Sequence, residues 1–437
     1  MNKSVAAISL RLREYAESNP SIPETIAAFA IKLVGAVLSF GFSFLVARHL
    51  GAAGSGSFAL ALTTAMFASA VSLMGLDYVL LRAMAGDIRE GNPAAARGAA
   101  RSAVLATSAA AVVVGVVLAA FGVPLLHMLM GKSLEQGLIY LSAIAVLPLT
   151  LNRIAVASLR GAGGVLAAQW LEGPQAMILS VAVLMFIFIV GFTVNARGVV
   201  TLYFIAAAIS AMSAWAVYVQ KARDWPPAES TPLRPMLGQG WRISFIVLSR
   251  LVLDWIVLLS LGTYYSTFEV GQFRTAWQIS ALIMLLVSTF DTVAGPRIAA
   301  AYRVNDMDNI RQIVRHSVFA MIIISLPLFI VALGFPEWAL GLFGPEFVPA
   351  APALRILALG QMVNVFAGPL GVVLLMAGEE KASLVLSVFS MILLLVLSVT
   401  LIPAYGLIGA AMTTALIIGS RTIVSYFLVQ KTLRRDL

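Results

Sequence analysis

The sequence predicts an all-α polytopic membrane protein of about twelve transmembrane helices, set in two six-helix bundles repeated in parallel. Three observations predict it. Of the 437 residues, 60% are hydrophobic and 11% charged, with mean hydropathy +0.96, whereas a soluble domain carries about 25% charged residues. The apolar runs are long and unbroken, near the ~20 residues a helix needs to cross hydrocarbon and unlike the alternating strands of an outer-membrane barrel. Finally, the two halves share short motifs at a nearly constant offset.

Taken in order, the first 24 residues are mostly polar. They carry Glu14, Glu17 and Glu24 and lack an A-x-A site, so they read as a retained segment and not a cleaved signal. Within them, 5–16 reads as a short interfacial helix with Ile8, Leu10 and Leu12 partly buried. Spans are expected at 25–47, 55–81, 102–130, 136–159, 165–193, 199–220, 242–264, 270–295, 316–343, 350–376, 382–403 and 407–429. The longest connection, 221–241, is polar and proline-rich. It divides the chain into an N-terminal bundle (1–220), a cytoplasmic linker (221–241) and a C-terminal bundle (242–437).

The net charge of +9 reflects topology and not a nucleic-acid partner. With the N-terminus inside, twenty of the 29 basic residues fall in cytoplasmic segments. Only Arg48, Lys132 and Arg197 fall outside, and six lie within spans. The bias places both termini on the cytoplasmic side of the membrane.

At an offset of 215, Gly56-x-Phe58 matches Gly271-x-Phe273, Arg82 matches Arg297, and Ala162-Gly163 matches Ala377-Gly378. At 214, Arg97-x3-Arg101 matches Arg311-x3-Arg315; at 210, Val219-Gln220-Lys221 matches Val429-Gln430-Lys431. An even-numbered unit keeps its orientation when duplicated. The halves are therefore expected to be related by a twofold axis along the membrane normal, with substrate bound between them and access alternating by rocking.

Ionisable side chains inside spans are costly and mark function. Asp77, Asp291, Glu337 and Arg355 lie within a turn or two of a span end and read as snorkelling or locally paired, Asp77 with nearby Arg82. Lys32, Arg153, Arg250, Arg274 and Arg421 are the cations expected in a central cavity, against Glu172 and Asp254 as the deep acids. Arg250 and Asp254, four residues apart, form either an ion pair or part of the site. The surplus of positive charge suits an anionic substrate, and arginine matches phosphate through two-pronged hydrogen bonds. The alternative is a set of scattered pairs that lock the bundle. Pro148, Pro174, Pro327 and Pro369, with Gly360, Gly368 and Gly371, supply either hinges or tight packing.

No cysteine is present, the three histidines are dispersed, and no Walker-A loop, HExxH or GxSxG occurs. No cofactor, metal or enzymatic role is expected. Gly161-x-Gly163-Gly164 reads as a turn and not a dinucleotide loop.

Several segments resemble the polysaccharide exporter and flippase family of the MOP superfamily: KLVGAVLSFGFSFLVARHLGAAGSGSFALA (32–61), GLDYVLLRAMA (75–85) with Asp77 and Arg82, LRGAGGVLAA (159–168), LLMAGEEKAS (374–383) and YGLIGAAMTTAL (405–416). The resemblance implies a V-shaped, MATE-like transporter of two six-helix bundles. It also implies a substrate, an undecaprenyl-pyrophosphate-linked oligosaccharide, flipped from the cytoplasmic to the periplasmic leaflet of a bacterial inner membrane for O-antigen, capsule or exopolysaccharide synthesis, with coupling to a proton or sodium ion. Membrane lipids and polymerase or assembly proteins are the implied partners. Two other readings stand beside it: a MATE-type drug or metabolite antiporter using Glu172 or Asp254, and a non-transporting member of an assembly complex.

Overall fold

The structure is a computed structural model that describes residues 22–130, 135–227, 232–303, 307–368 and 380–435. The expected interfacial helix at 5–16, and Pro369, Gly371, Ala377 and Gly378, lie outside the described residues.

The helical stretch Ile22–Leu73 leaves helical geometry at Gly51 (φ 66°, ψ −171°). It is divided there into α1 (22–50) and α2 (52–73). There follow α3 (Leu76–Arg89), α4 (Pro93–Met130), α5 (Gln136–Gly161), α6 (Val165–Glu172), α7 (Pro174–Ile189) and α8 (Ala196–Lys221). The second half comprises α9 (Leu233–Tyr264), α10 (Thr267–Arg303), α11 (Met307–Gly334), the short α12 (Pro336–Gly341), a 3-10 turn at Pro345–Ala350, and α13 (Ala351–Ala367). The last stretch, Glu380–Arg435, breaks at Gly406 (φ 55°, ψ −126°) into α14 (380–405) and α15 (407–435). Among the described residues, nine helical stretches are long and apolar enough to cross a membrane. Division at Gly51 and Gly406 makes eleven, and α10, at 37 residues, is long enough to be the twelfth. The chain is a multi-pass membrane protein.

Three boundaries differ from the expected ones, each for a local reason. The second span, expected over 55–81, stops at Leu73 because Met74 and Gly75 take positive φ (50° and 72°). Glycine adopts this conformation without steric cost, and the chain restarts as α3 in a new direction. The fifth span is cut at Gly173, since Pro174 cannot donate to α6. One of the carbonyls left at the end of α6, that of Leu171, is satisfied by Ser210 Oγ (2.8 Å) and Asn152 Nδ2 (3.2 Å). Helix α9 begins at Leu233, inside the stretch read as linker, with Pro232 before it and Pro235 in its first turn. Proline is tolerated there because first-turn N–H groups lack helical partners.

Pro148 and Pro327 lie inside unbroken helices. Gly360 is a packing glycine and not a hinge, since a Cβ there would stand 2.9 Å from Ala415.

The molecule has two recognisable ends. One gathers the turns near 48–52, 135–137, 195–197, 264–267, 336–350 and 403–406. Arg48 reaches Leu342, Arg197 pairs with Glu135, and Tyr265 Oη donates to Pro403 O (3.1 Å). We call it the latched end. The other, the basic end, carries Arg82, Arg89, Arg97, Arg101, Arg160, Lys221, Arg223 and Arg234. The larger core cluster draws on both halves, with Phe42, Phe58 and Tyr203 from the first and Leu261, Phe273, Leu354 and Leu357 from the second. Phe343 of the second half packs edge-on against Phe40 and Phe44 of α1 (5.8 and 5.2 Å). Many large apolar side chains face outward, among them Ile144, Phe186, Ile189 and Met212, as lipid contact requires.

Candidate functional site

The seven ionisable residues singled out in the sequence fall on six helices. Lys32 is on α1, Arg153 on α5, Glu172 on α6, Arg250 and Asp254 on α9, Arg274 on α10 and Arg421 on α15. At 1.5 Å per residue, Arg274 lies about 10 Å along its helix from the latched end, Arg250 and Arg421 about 21 Å, and Arg153 and Lys32 about 26–27 Å. The cations thus step through the bundle in depth, and both halves supply them. Lys32 is exposed, and Arg274 and Arg421 are half-buried. The Arg250 and Asp254 side chains, and with them the ion pair read from their spacing, lie outside the described residues.

The acids are placed differently from expectation. Asp77 pairs with Arg153 across helices (3.2 Å), not with Arg82. The turn at Met74–Gly75 sets Asp77 in the first turn of α3, against α5. Arg82 is five residues further on, off the i+3/i+4 face on which helical neighbours meet, and is exposed. The Asp77 side chain is 11% exposed and that of Arg153 39%, so the guanidinium keeps an open side. Glu172, read as a deep acid, is exposed and paired with Arg160. The turn through Gly163 and Gly164 folds α6 back beside the end of α5 and brings the two together. That turn is what the sequence reading took it to be. Of the four charges placed near span ends, Glu337 and Arg355 pair with each other (3.0 Å). The interior therefore gains Asp77 as an acid that was not expected there, while Glu172 has Arg160 as its partner.

A second constellation sits at the latched end, where the halves cross. A Cβ on Gly56 would lie 2.8 Å from Gly271 N and nearer still to Thr267 O. One on Gly271 would lie 2.7 Å from the Ala52 carbonyl carbon and nearer still to its oxygen. Ala52 and Thr267 each precede their glycine by four residues. The contact is thus reciprocal at the 215-residue offset, as a twofold axis between α2 and α10 requires. Glycine allows the backbones this approach, in the geometry of weak Cα–H···O bonds.

Around the crossing, Glu346 Oε2 accepts from Ala52 N (2.8 Å), Gln272 Nε2 donates to Glu346 O (2.6 Å), and Arg48 Nη1 donates to Leu342 O (3.3 Å). Glu346 thereby places a carboxylate of the second half on the N-terminus of α2 in the first. Sequence reasoning passed over Glu346 and Gln272, because a lone acid in a loop carries no pattern. The Gly56/Gly271 match was the one signal for this region. The halves touch again at mid-depth, where Trp255 stacks on Phe67 (4.9 Å). At the basic end, a Cβ on Gly240 would stand 2.6 Å from Met74 O. Among the described residues, no group of three His, Asp or Glu side chains could hold a metal ion.

Comparison with known proteins agrees with this architecture. The family described as "Polysaccharide biosynthesis protein" matches residues 23–302, and the family MatE matches 243–400. The probable low-salt glycan biosynthesis flippase Agl15 of Haloferax volcanii is 29% identical over 175 residues, which cover 39% of this chain and 36% of the relative. The chain thus matches little more than a third of that protein's length. Among solved structures, an inward-facing multidrug resistance MATE family transporter of the MOP superfamily superposes with TM-score 0.73 at 16% identity, covering 94% of this chain and 98% of the other. The lipid II flippase MurJ, in its inward closed conformation, gives 0.73 at 12% identity, covering 95% and 90%. The fold is that of the MOP superfamily, and the chain belongs to its polysaccharide biosynthesis protein family.

Proposed function

We propose that the chain is a flippase, and not an enzyme, that carries an undecaprenyl-pyrophosphate-linked oligosaccharide across the cytoplasmic membrane. The observation that supports this reading best is the stepped series of cations. Lys32, Arg153, Arg250, Arg274 and Arg421 are spread over the depth of an otherwise apolar bundle, from both halves, with Asp77 as the acid placed among them. A pyrophosphate could pass from one guanidinium to the next without leaving charge compensation. In the proposed orientation the basic end faces the cytoplasm and both termini lie inside, as the distribution of lysine and arginine favours. The latched end then closes the outer exit, and the crossing at Gly56 and Gly271 must part for release. A proton or sodium gradient is the proposed drive, and polymerase or assembly proteins the proposed partners.

The test is the sidedness of labelled lipid-linked oligosaccharide in a strain lacking the gene. The cytoplasmic leaflet should accumulate it. The parent gene should reverse this, and Arg250→Ala or Arg274→Ala, at parent protein level, should not. Normal sidedness without the gene removes the flippase reading; full rescue by both variants removes the cation site. A second reading, cation-coupled antiport, has the MatE match in its favour. With Glu172 neutralised by Arg160, Asp254 is its remaining acid. Changed drug susceptibility with normal oligosaccharide sidedness is its signature.

A further inference from the structure

A cavity of about 410 Å3 opens at the basic end of the first half, between α4, α8 and the segment that follows α8. Its polar wall is Arg97 and Arg101, one turn apart on the same face of α4. Its opposite wall is Trp215 and Tyr218 of α8, set edge to face (5.4 Å, 88°). Val104 and the outward-facing Leu105 continue the α4 side toward the apolar depth of the bundle. The pocket is therefore cationic at its outer rim and apolar further in.

Both arginines are exposed and, among the described residues, neither forms an ion pair. Arg97 Nη1 donates to Trp225 O (2.6 Å), which fastens the connecting segment over the pocket and leaves most of the guanidinium fork unused. The Trp215 indole N–H is already spent on Leu151 O (3.2 Å), whereas the buried Tyr218 hydroxyl has no hydrogen-bond partner among the described residues, so the charged donors are the arginines and the neutral one is Tyr218. A phosphate with an attached hydrocarbon chain matches this arrangement. Two guanidinium forks take the anion, and the chain runs along Val104 and Leu105 into lipid. The walls come from α4, α8 and the connection alone, so the site is separate from the stepped cations between the halves.

We propose that this pocket binds the phosphate of a membrane-anchored lipid at the basic end, holding it under the segment that Arg97 tethers. The shared chemistry is a phosphate carried at the membrane surface, on a glycerolipid or on a polyprenyl chain. The full-length protein, delipidated in detergent, is titrated with phosphatidylglycerol, undecaprenyl phosphate, phosphatidylcholine and inorganic phosphate, and bound molecules are counted by native mass spectrometry. One tight site is expected for an anionic lipid. In R97Q/R101Q it should weaken about tenfold or more, as the loss of charge-assisted hydrogen bonds implies. Preference for phosphatidylglycerol assigns the site to bulk lipid, and preference for undecaprenyl phosphate assigns it to a polyprenyl carrier. Either supports the proposal. Equal binding by the double variant overturns it, as does binding of inorganic phosphate or phosphatidylcholine as tight as that of the anionic lipids. Should the double variant not fold, R101Q alone gives the same reading, because Arg101 does not fasten the connection.

Discussion

Replacing Gly271 by alanine tests whether the crossing of α2 and α10 holds the latched end shut. The new Cβ would stand 2.7 Å from both the Ala52 carbonyl carbon and Ser55 Oγ, against about 3.5 Å for a relaxed contact between carbon atoms. The obstruction is backbone as well as side chain, so rotation of a side chain cannot relieve it. The helices must part by about 0.8 Å at that carbon, and further at the carbonyl oxygen. Overpacking of this kind costs about 1–3 kcal/mol, which shifts the closed-to-open ratio about 5- to 150-fold. The chain has no cysteine, so spin labels at the exposed positions Ala53→Cys on α2 and Trp338→Cys on α12 report the opening while the Arg48–Leu342 bond is kept. The parent should give one short distance; Gly271→Ala and Gly56→Ala should each add a longer population. Gly86→Ala, where a Cβ meets nothing within 4 Å, should leave the distance unchanged. An unaltered distance in both crossing variants would refute the argument.

Two further predictions rest on single residues. Asp77→Asn leaves Arg153 without its charge partner. It should lower the thermal midpoint in detergent by an amount between that of an exposed pair (~1 kcal/mol) and that of a buried one (~3 kcal/mol). Asp77→Asn combined with Arg153→Gln should recover part of the loss, whereas additive losses would show that the two residues do not act as a pair. Asp87, on the part of α3 beyond the expected span, has its pKa pushed up from the usual carboxylate value, first by burial and then by the Glu90 carboxylate. The folded state thus binds its proton more tightly than the unfolded chain. Stability from this group is present at low pH and is lost as pH rises from the unfolded value through the raised one. Asp87→Asn should flatten that part of the stability–pH curve, and an unchanged curve would contradict the assignment.

Hydropathy located the twelve crossings because each must present apolar surface to lipid, whatever its neighbours. Short polar or glycine-bearing connections also marked the turns, so the breaks at Gly51 and Gly406 fall where connections were expected. Hydropathy is silent on backbone direction inside an apolar run. The separation of α3 from α2 at Met74–Gly75 therefore went unseen, as did the start of α9 at Leu233 within polar sequence. Charge partners were the least legible. Asp77 has Arg82 near it in sequence, yet helix rotation and the α2–α3 turn give it Arg153 instead. Glu172 lies within the span expected for it, and the turn through Gly163 and Gly164, which hydropathy does not reveal, gives it Arg160 as partner. The repeat carried the most spatial information: the paired glycines at 56 and 271 proved to be in mutual contact.

The bond from Ala52 N to Glu346 spans 294 residues of sequence. Its donor is among the N–H groups that a helix start cannot satisfy from within. During synthesis α2 is therefore made long before its acceptor exists, and the first six crossings wait in the lipid with that start incomplete. Chains are built from the N-terminus and fold in parts as they emerge, so the early assembly is provisional until α12 and the 3-10 turn have been delivered. A first half produced alone would lack the finishing group for one of its own helices, and it would be a natural target for membrane proteases.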